Sequence, residues 1–494
     1  MKRLTILVVS TIWCLLTSTR CLADEVVYRP GDILRVVVDK LKSGDTLILE
    51  AQSNVVGYTP DQQGQGNCDN NYTYECVPKK IPSGIDKDHP TRIIAKAGVK
   101  LVAIERASQI FDLRGSNWVT IEGDPNSPLE LTDGEACMEL GPPNLYCTRG
   151  KYPSGNWGQT AIRIGDSQGI VLKNLNIHGF ADRGVYAGRY KDIYVENVNI
   201  HGNAWAGWDG DIESGPDLIS GINVFKNLKI KWNGCVENVD GTIKQCTTQG
   251  TGGYGDGFTV DNAVAGTKII FDSPDFSYNS SDGADLIYIT NPVDIQVKNL
   301  KAEGNLGQQF KSSGNTIIDG FTVYGNCGYW KEGPYSALNM NWCRAAGNTF
   351  SFGFFPGVNI TLKNGLVDKN DGDVIIETFG DKCNGSESLN LDTVILNGGI
   401  HLRQGDWSAG IYHTGATGNG DGPCGDIKTT AVKTAFNHLK DNQCFPGIGN
   451  TCSEATPAPV PIPIPLPIPT PVPAPNKISF TYDQCRIICE DNLK

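Results

Sequence analysis

Residues 171–180 read VLKNLNIHGF and residues 194–203 read YVENVNIHGN. The phrase returns in degenerate form as VFKNLKIKWNG (224–234), VKNLKAEGN (297–305), IDGFTVYGN (318–326) and LKNGLVDKN (362–370). Each copy alternates apolar and polar residues over a short run and ends near Gly or Asn, the pattern of a half-buried strand leaving through a turn. Counted from the first Asn of each copy, Asn174 to Asn197 is 23 residues, Asn197 to Asn227 is 30, and Asn299 to the aligned Gly320 is 21. A period of this size marks a solenoid. It holds about three short strands and three turns, so successive copies stack as parallel strands roughly 4.8 Å apart. The predicted fold class is all-β, a single-stranded parallel β-helix. A propeller needs longer blades, and leucine-rich repeats carry Leu at fixed offsets that are missing here.

A solenoid must protect its open ends from edge pairing. Residues 33–41 (ILRVVVDKL) read as a short amphipathic helix before a strand at 46–50, an N-terminal cap. Residues 52–90, rich in Gly, Pro and Asn, read as a loop stapled by two cysteines. Outward from the repeats, residues 1–23 have Lys2 and Arg3, an apolar stretch from Leu4 to Leu16 and the ending Cys21-Leu22-Ala23, the layout of a cleavable secretory signal. The apolar stretch is shorter than the ~20 residues a bilayer span needs. The expected mature chain is therefore secreted, periplasmic or surface-held, with no transmembrane segment after cleavage. The whole chain of 494 residues is 39% hydrophobic and 19% charged, with a formal charge of -12, values of a soluble protein with a sizeable core. That acidic balance argues against a nucleic-acid partner, which needs a surplus of Lys and Arg.

Of 16 cysteines, Cys14 and Cys21 fall in the signal, leaving an even number in an exported chain, as a disulfide framework requires. Spacing suggests Cys68 with Cys76, Cys137 with Cys147, Cys235 with Cys246, Cys327 with Cys343, and Cys485 with Cys489; Cys383, Cys424, Cys444 and Cys452 allow three connectivities. Paired CxxC spacing of a zinc site is missing. The β-helix domain is expected over 24–455. In residues 457–475 every second residue is Pro, which forces polyproline II. Residues 456–475 are therefore a stiff linker reaching about 59 Å. The tail 476–494 is too short for its own core, and two readings of it stand, a segment that docks an envelope partner and one with no role.

Stacking the coils on the Gly after each strand aligns Gly184, Gly207, Gly257 and Gly283, with Gln309 in the same phase. One residue earlier stand Arg183, Ala206, Asp256, Asp282 and Gln308; two residues later stand Tyr186, Asp209, Thr259, Asp285 and Lys311. Both intervals from Gly257 to Gln309 are 26 residues, so Asp256, Asp282 and Asp285 should converge with Lys311 one coil on. Three carboxylates so placed need a cation, and oxygen ligands select a hard one such as Ca²⁺. Asp209, one coil earlier, is the candidate fourth ligand. The longer interval from Gly207 to Gly257 is assigned to an insertion around Cys235 and Cys246. Such a cation, bound against a uronate carboxylate, would stabilise the charge that develops when the C5 proton is removed. Lys311 would take that proton, provided its pKa were depressed by the ion and by desolvation.

The stretches GYGDGF (253–258), NSSDGAD (279–285) and GNLGQQFKSSG (304–314) resemble the motif series of polysaccharide lyase family nine, the Ca²⁺-dependent pectate lyases. The resemblance covers about 60 residues closely. It implies a right-handed β-helix of the pectin lyase-like type, Asp256, Asp282 and Asp285 as calcium ligands, and Lys311 as Brønsted base. The implied activity is β-elimination on an acidic, uronate-containing polysaccharide by a monomer. Ser281, Ala284, Gln308-Gln309 and Ser312-Ser313 depart from the family pattern.

Blander readings stand beside these. Asp-Gly pairs are common turn chemistry. Trp157, Trp205 and Trp208 are candidates for stacking on sugars but more often signify packing. His178 and His201, at equivalent repeat positions, read as an outward-facing ladder. Asn279-Ser280-Ser281 is a formal glycosylation sequon. Adjacent aspartates with a nearby His-Gly, as an inverting glycoside hydrolase would use, are missing from these coils. The rival to a lyase is a non-catalytic, glycan-binding or surface β-helix.

Overall fold

The computed structural model describes residues 23–50, 53–56, 80–103, 109–133, 137–139, 145–147, 158–210, 218–237, 243–246, 255–325, 349–353, 355–369, 374–380, 388–397, 403–404 and 410–415. They form a right-handed parallel β-helix, the hand that twisted strands impose on parallel crossovers. One sheet has eleven strands, and from Gln109–Asp112 to Val374–Gly380 it takes one strand per coil. It runs from Gln109–Asp112 through Thr160–Ile164, Arg183–Ala187, Ala206–Asp209, Phe258–Thr259, Ala284–Leu286, Phe310–Ser312, Phe350–Gly353 and Val374–Gly380 to Gly410–Gly415 and Arg403–Gln404. A second, longer sheet carries the repeated phrase, with Val171–His178 in parallel register against Tyr194–His201 and Asp294–Glu303 against Asn315–Gly325. The N-terminal helix is Leu34–Val38, with Leu34, Val37 and Val38 buried, and Thr46–Leu49 follows as a strand.

The repeated phrase is a bent strand. Asn174, Asn197, Asn227, Asn299 and Asn364 all have φ between 49° and 55°, and Ser273, Gly320 and Thr393 take the same corner in the coils between and after. Asn is the non-Gly residue that tolerates this left-handed conformation best. The bend resets the inward phase, so Leu172, Leu175 and Ile177 all face the core although strict alternation would place 172, 174 and 176 there. Asn197 donates to Asn174 Oδ1 (3.2 Å) and Asn227 to Asn197 Oδ1 (2.9 Å), giving each corner a side-chain bond to the next.

Inside the coils, Trp208, Phe225, Phe258, Phe271 and Phe276 pack with ring centroids 5.0 to 6.1 Å apart. Trp208 is fully buried and is a packing residue, not a sugar platform. Two excursions leave the coil as antiparallel hairpins. Cys235–Glu237 pairs with Ile243–Cys246 and is closed by the expected Cys235–Cys246 disulfide. Cys137–Glu139 pairs with Leu145–Cys147, setting Cys137 across from Cys147. The remaining expected pairs, Trp157, the Pro-rich run and the tail lie outside the described residues. Among the described residues no helix is long and apolar enough to cross a membrane.

Candidate functional site

The aligned glycines form a contiguous stack. A Cβ built on Gly207 would lie 2.6 Å from Gly257 O, one on Gly257 2.3 Å from Gly283 O, and one on Gly283 2.3 Å from Gln309 O. None of these three glycines has a left-handed φ, so close approach of the next coil demands them rather than turn geometry. A buried amide ladder presses on the same positions. Asn203 donates to Asn233 (2.9 Å), Asn233 to Asn279 (2.9 Å), Asn279 to Asn305 (3.0 Å) and Asn305 to Gln309 Oε1 (2.8 Å). Asn279, fully enclosed in this ladder, offers no acceptor for a glycan in the folded chain. Gln309, which breaks the glycine column, is the residue whose side chain ends the ladder.

Register then brings the acids together. Thr259 pairs with Asp285, Asp285 with Lys311, Lys311 with Ser351 and Ser351 with Glu377, while Tyr186 pairs with Asp209 upstream. Asp256, Asp282 and Asp285 each offer a carboxylate oxygen within 4.8 Å of the others, and all three are buried. Asp256 Oδ1 accepts the Asp282 amide (2.7 Å) and Asp282 Oδ1 accepts the Gln308 amide (2.7 Å), the same bond one coil apart. Lys311 Nζ donates to Asp282 Oδ2 (2.9 Å) and Asp285 Oδ2 (2.6 Å).

The electrostatics follow from burial and crowding. Burial first, then the Asp282 and Asp285 carboxylates, push Asp256 up to about 7. Burial also raises Asp285, against the pull of Lys311. For Lys311 burial works downward, but the carboxylates of Asp282, Asp285 and Asp256 outweigh it and hold the amine well above its ordinary value. With no cation among them, the three acids hold the amine high; the depression expected from the sequence depends on an ion taking those carboxylates. The donor set fits a hard divalent cation: the oxygen spacing suits ligand distances of about 2.3–2.6 Å, and Asp256 Oδ2 is buried without a hydrogen bond. Lys311 holds two of the oxygens such an ion would use, so ion and amine compete for them.

Asp209 does not join this group. Its Oδ2 takes the Arg183 Nε–H, and its Oδ1 accepts from Thr259 Oγ1 (3.1 Å). Arg183 also pairs with Asp182 and lies 4.3 Å over the Tyr186 ring. Arg183 stood in the aligned column, but nothing in the local sequence showed that it would neutralise Asp209. Ala284 is buried in the hydrophobic core, and Ser281 is buried at 2% exposure. Arg163, two coils before Asp209 in the same column, is half-buried with its guanidinium 5.0 Å over Tyr186.

No family model matches the chain, and no curated protein matches it. Among solved structures it is similar to the catalytic unit of a thermostable GH87 alpha-1,3-glucanase from Streptomyces thermodiastaticus strain HF3-3. Identity there is 9% and the TM-score 0.36, over 82% of this chain and 65% of that one. It is also similar to the Yersinia enterocolitica family 28 exopolygalacturonase, at 10% identity and a TM-score of 0.28, over 83% of this chain and 79% of the other. The chain thus spans about two thirds of the glucanase unit's length, and neither likeness carries an argument about chemistry.

Proposed function

We propose that the protein is an exported Ca²⁺-dependent lyase that cleaves an acidic, uronate-containing polysaccharide by β-elimination. One observation carries the reading: Lys311 is set by coil register against Asp282 and Asp285, with Asp256 in the same cluster. Asp256, Asp282 and Asp285 would hold the cation, whose charge would polarise a uronate carboxylate and acidify the neighbouring C5–H. The chain's own residues do the rest. Asp256 and Asp282 anchor adjacent coils through their amide bonds, so the cluster stays rigid. Lys311, freed from the two carboxylates and neutral, would accept the C5 proton at Nζ as the C4–O bond breaks, leaving a C4–C5 double bond, while the departing oxygen takes a proton from water to become the hydroxyl of the free chain end. Arg163, along the same column, suits an acidic sugar in a neighbouring position.

A second reading is favoured by the low exposure of Lys311, about 5%, and by its double salt bridge. In it the amine is a fixed counter-charge that ties its coil to the one before, and the protein is a non-catalytic β-helix that binds glycans or decorates a surface. Incubating the full chain with polygalacturonate, alginate and rhamnogalacturonan, with Ca²⁺ at alkaline pH, separates the two. Ultraviolet absorbance from unsaturated ends that is lost in Lys311→Ala supports the lyase; no new chain ends on any polymer supports the scaffold. New reducing ends without unsaturation would move the carboxylates to hydrolysis.

A further inference from the structure

Away from the aspartate cluster, the ends of two strands of the longer sheet carry His178 and His201, stacked with ring centroids 4.7 Å apart and planes within 3°. The sequence suggested an outward ladder, but His178 is buried, and both rings turn Nδ1 toward Glu237, a fully buried carboxylate. Glu237 arrives on the hairpin closed by Cys235–Cys246. Gly202 (φ 60°) makes room for it, since a Cβ there would lie 2.6 Å from Glu237 Oε2. His178 Nδ1 contacts Glu237 Oε1, and His201 Nδ1 lies 3.2 Å from Oε2; Thr132 Oγ1 is 3.5 Å from His178 Nδ1.

Proton bookkeeping on the outer nitrogens decides what the inner ones face. His178 Nε2 is 3.0 Å from Glu130 Oε1, an oxygen that also accepts from Lys100 Nζ (2.6 Å), so this nitrogen donates. His201 Nε2 is 3.1 Å from Asn176 Oδ1, which also accepts from the Asn199 amide at 2.9 Å. That nitrogen donates as well. In its neutral form each imidazole would therefore aim a lone pair at the same carboxylate, an arrangement that a cation in between would stabilise. Two protons would create two imidazolium rings face to face at 4.7 Å, which repel. A single divalent ion supplies the same charge without that repulsion.

We infer that His178 Nδ1, His201 Nδ1 and the Glu237 carboxylate form a binding site for a divalent transition metal of the zinc class. Two imidazoles and a carboxylate are a donor set that zinc accepts, and the ligand atoms lie within 4.8 Å of one another. Glu130 and Asn176, holding the outer N–H groups, are the partners that orient metal-bound imidazoles. The His201 side chain is 23% exposed, which leaves an ion a way in.

The test is calorimetric titration of the full chain with ZnCl₂, with Ca²⁺ in excess to occupy the aspartate cluster. The expected result is one equivalent of Zn²⁺ bound, and a rise in Tm that Zn²⁺ alone causes. His201→Phe keeps the ring stack but removes a ligand; it should fold, by circular dichroism, and lose the binding heat and the Tm rise. Asn176→Leu, which leaves all three ligands, should weaken binding by about 10–100-fold. No Zn²⁺ uptake by the wild-type chain, or uptake unchanged in His201→Phe, would overturn the inference. A purely structural histidine–carboxylate cluster gives the first of these results.

Discussion

Gly283→Ala adds one methyl group at the point where the glycine stack meets the carboxylate cluster. The new Cβ would lie 2.3 Å from Gln309 O and 2.6 Å from Asn305 Nδ2. Ordinary contact needs about 3.4 Å, so a backbone carbonyl and a buried amide must each retreat by roughly 1 Å, against packing that has little slack. Overpacking of this kind costs about 1–3 kcal/mol. Moving Asn305 also endangers its bonds to Phe276 O (2.7 Å) and Gln309 Oε1 (2.8 Å), and a buried polar group left unpaired costs about 1–3 kcal/mol more. The sum is roughly 2–6 kcal/mol, and at an unfolding entropy of about 0.9 kcal/mol/K for a domain of this size the fall in Tm is roughly 2–7 °C. Gly266→Ala is the control: Gly266 has φ +82° and nothing within 4 Å, so only backbone strain of about 1–2 kcal/mol is expected. Thermal unfolding followed by circular dichroism reads both. If Asp282-Gly283 were a simple left-handed turn, Asn at 283 would be tolerated; the stack requires Gly283→Asn to be worse than Gly283→Ala. A Gly283→Ala protein no less stable than Gly266→Ala would refute the steric argument.

Other consequences are open to measurement. With calcium chelated, Lys311→Met leaves three buried carboxylates without their counter-charge and should cost about 3–5 kcal/mol at neutral pH, with added Ca²⁺ restoring much of the lost Tm; an unchanged Tm would mean that the pairing adds nothing. Asp209→Asn should leave calcium affinity within about twofold, because Arg183 and Thr259 already occupy that carboxylate; a tenfold loss of affinity (about 1.4 kcal/mol) would place Asp209 among the ligands. The Lys226 ammonium, 3.0 Å away, is the main cause that holds Glu196 below its ordinary value. That pairing stabilises the fold above the unfolded-state value of about 4.5 and is lost as pH falls through the lower folded value, so the small stability gap between wild type and Lys226→Met should close in acid.

Much of the fold was legible in the chain. The recurring Asn of VLKNLNIHGF is an intrinsic signal, since few residues accept φ near 53°, and the corner it makes follows from local sterics alone. The Gly column was legible for a related reason: a missing side chain at a fixed phase marks where one coil lies on the next. From that phase the pairing of Asp285 with Lys311 and the grouping of Asp256, Asp282 and Asp285 could be read without coordinates. The expected Cys235–Cys246 bridge came from spacing in the same way.

What required the folded molecule was every property that depends on more than one coil's side chains. Asp209 sits in the right column yet is neutralised by Arg183 from the coil before, so position in the stack did not decide its partner. The amine of Lys311 is held high by acids from its own neighbourhood, and how many acids surround it is a property of three coils. His178 and His201 repeat the same phrase, but their meaning changed when a hairpin more than thirty residues further on brought Glu237 between them. A one-dimensional repeat encodes which residues share a column, because the coil length fixes it. Charge balance and burial are set by what insertions and neighbouring coils lay against that column, and those come only with the tertiary structure.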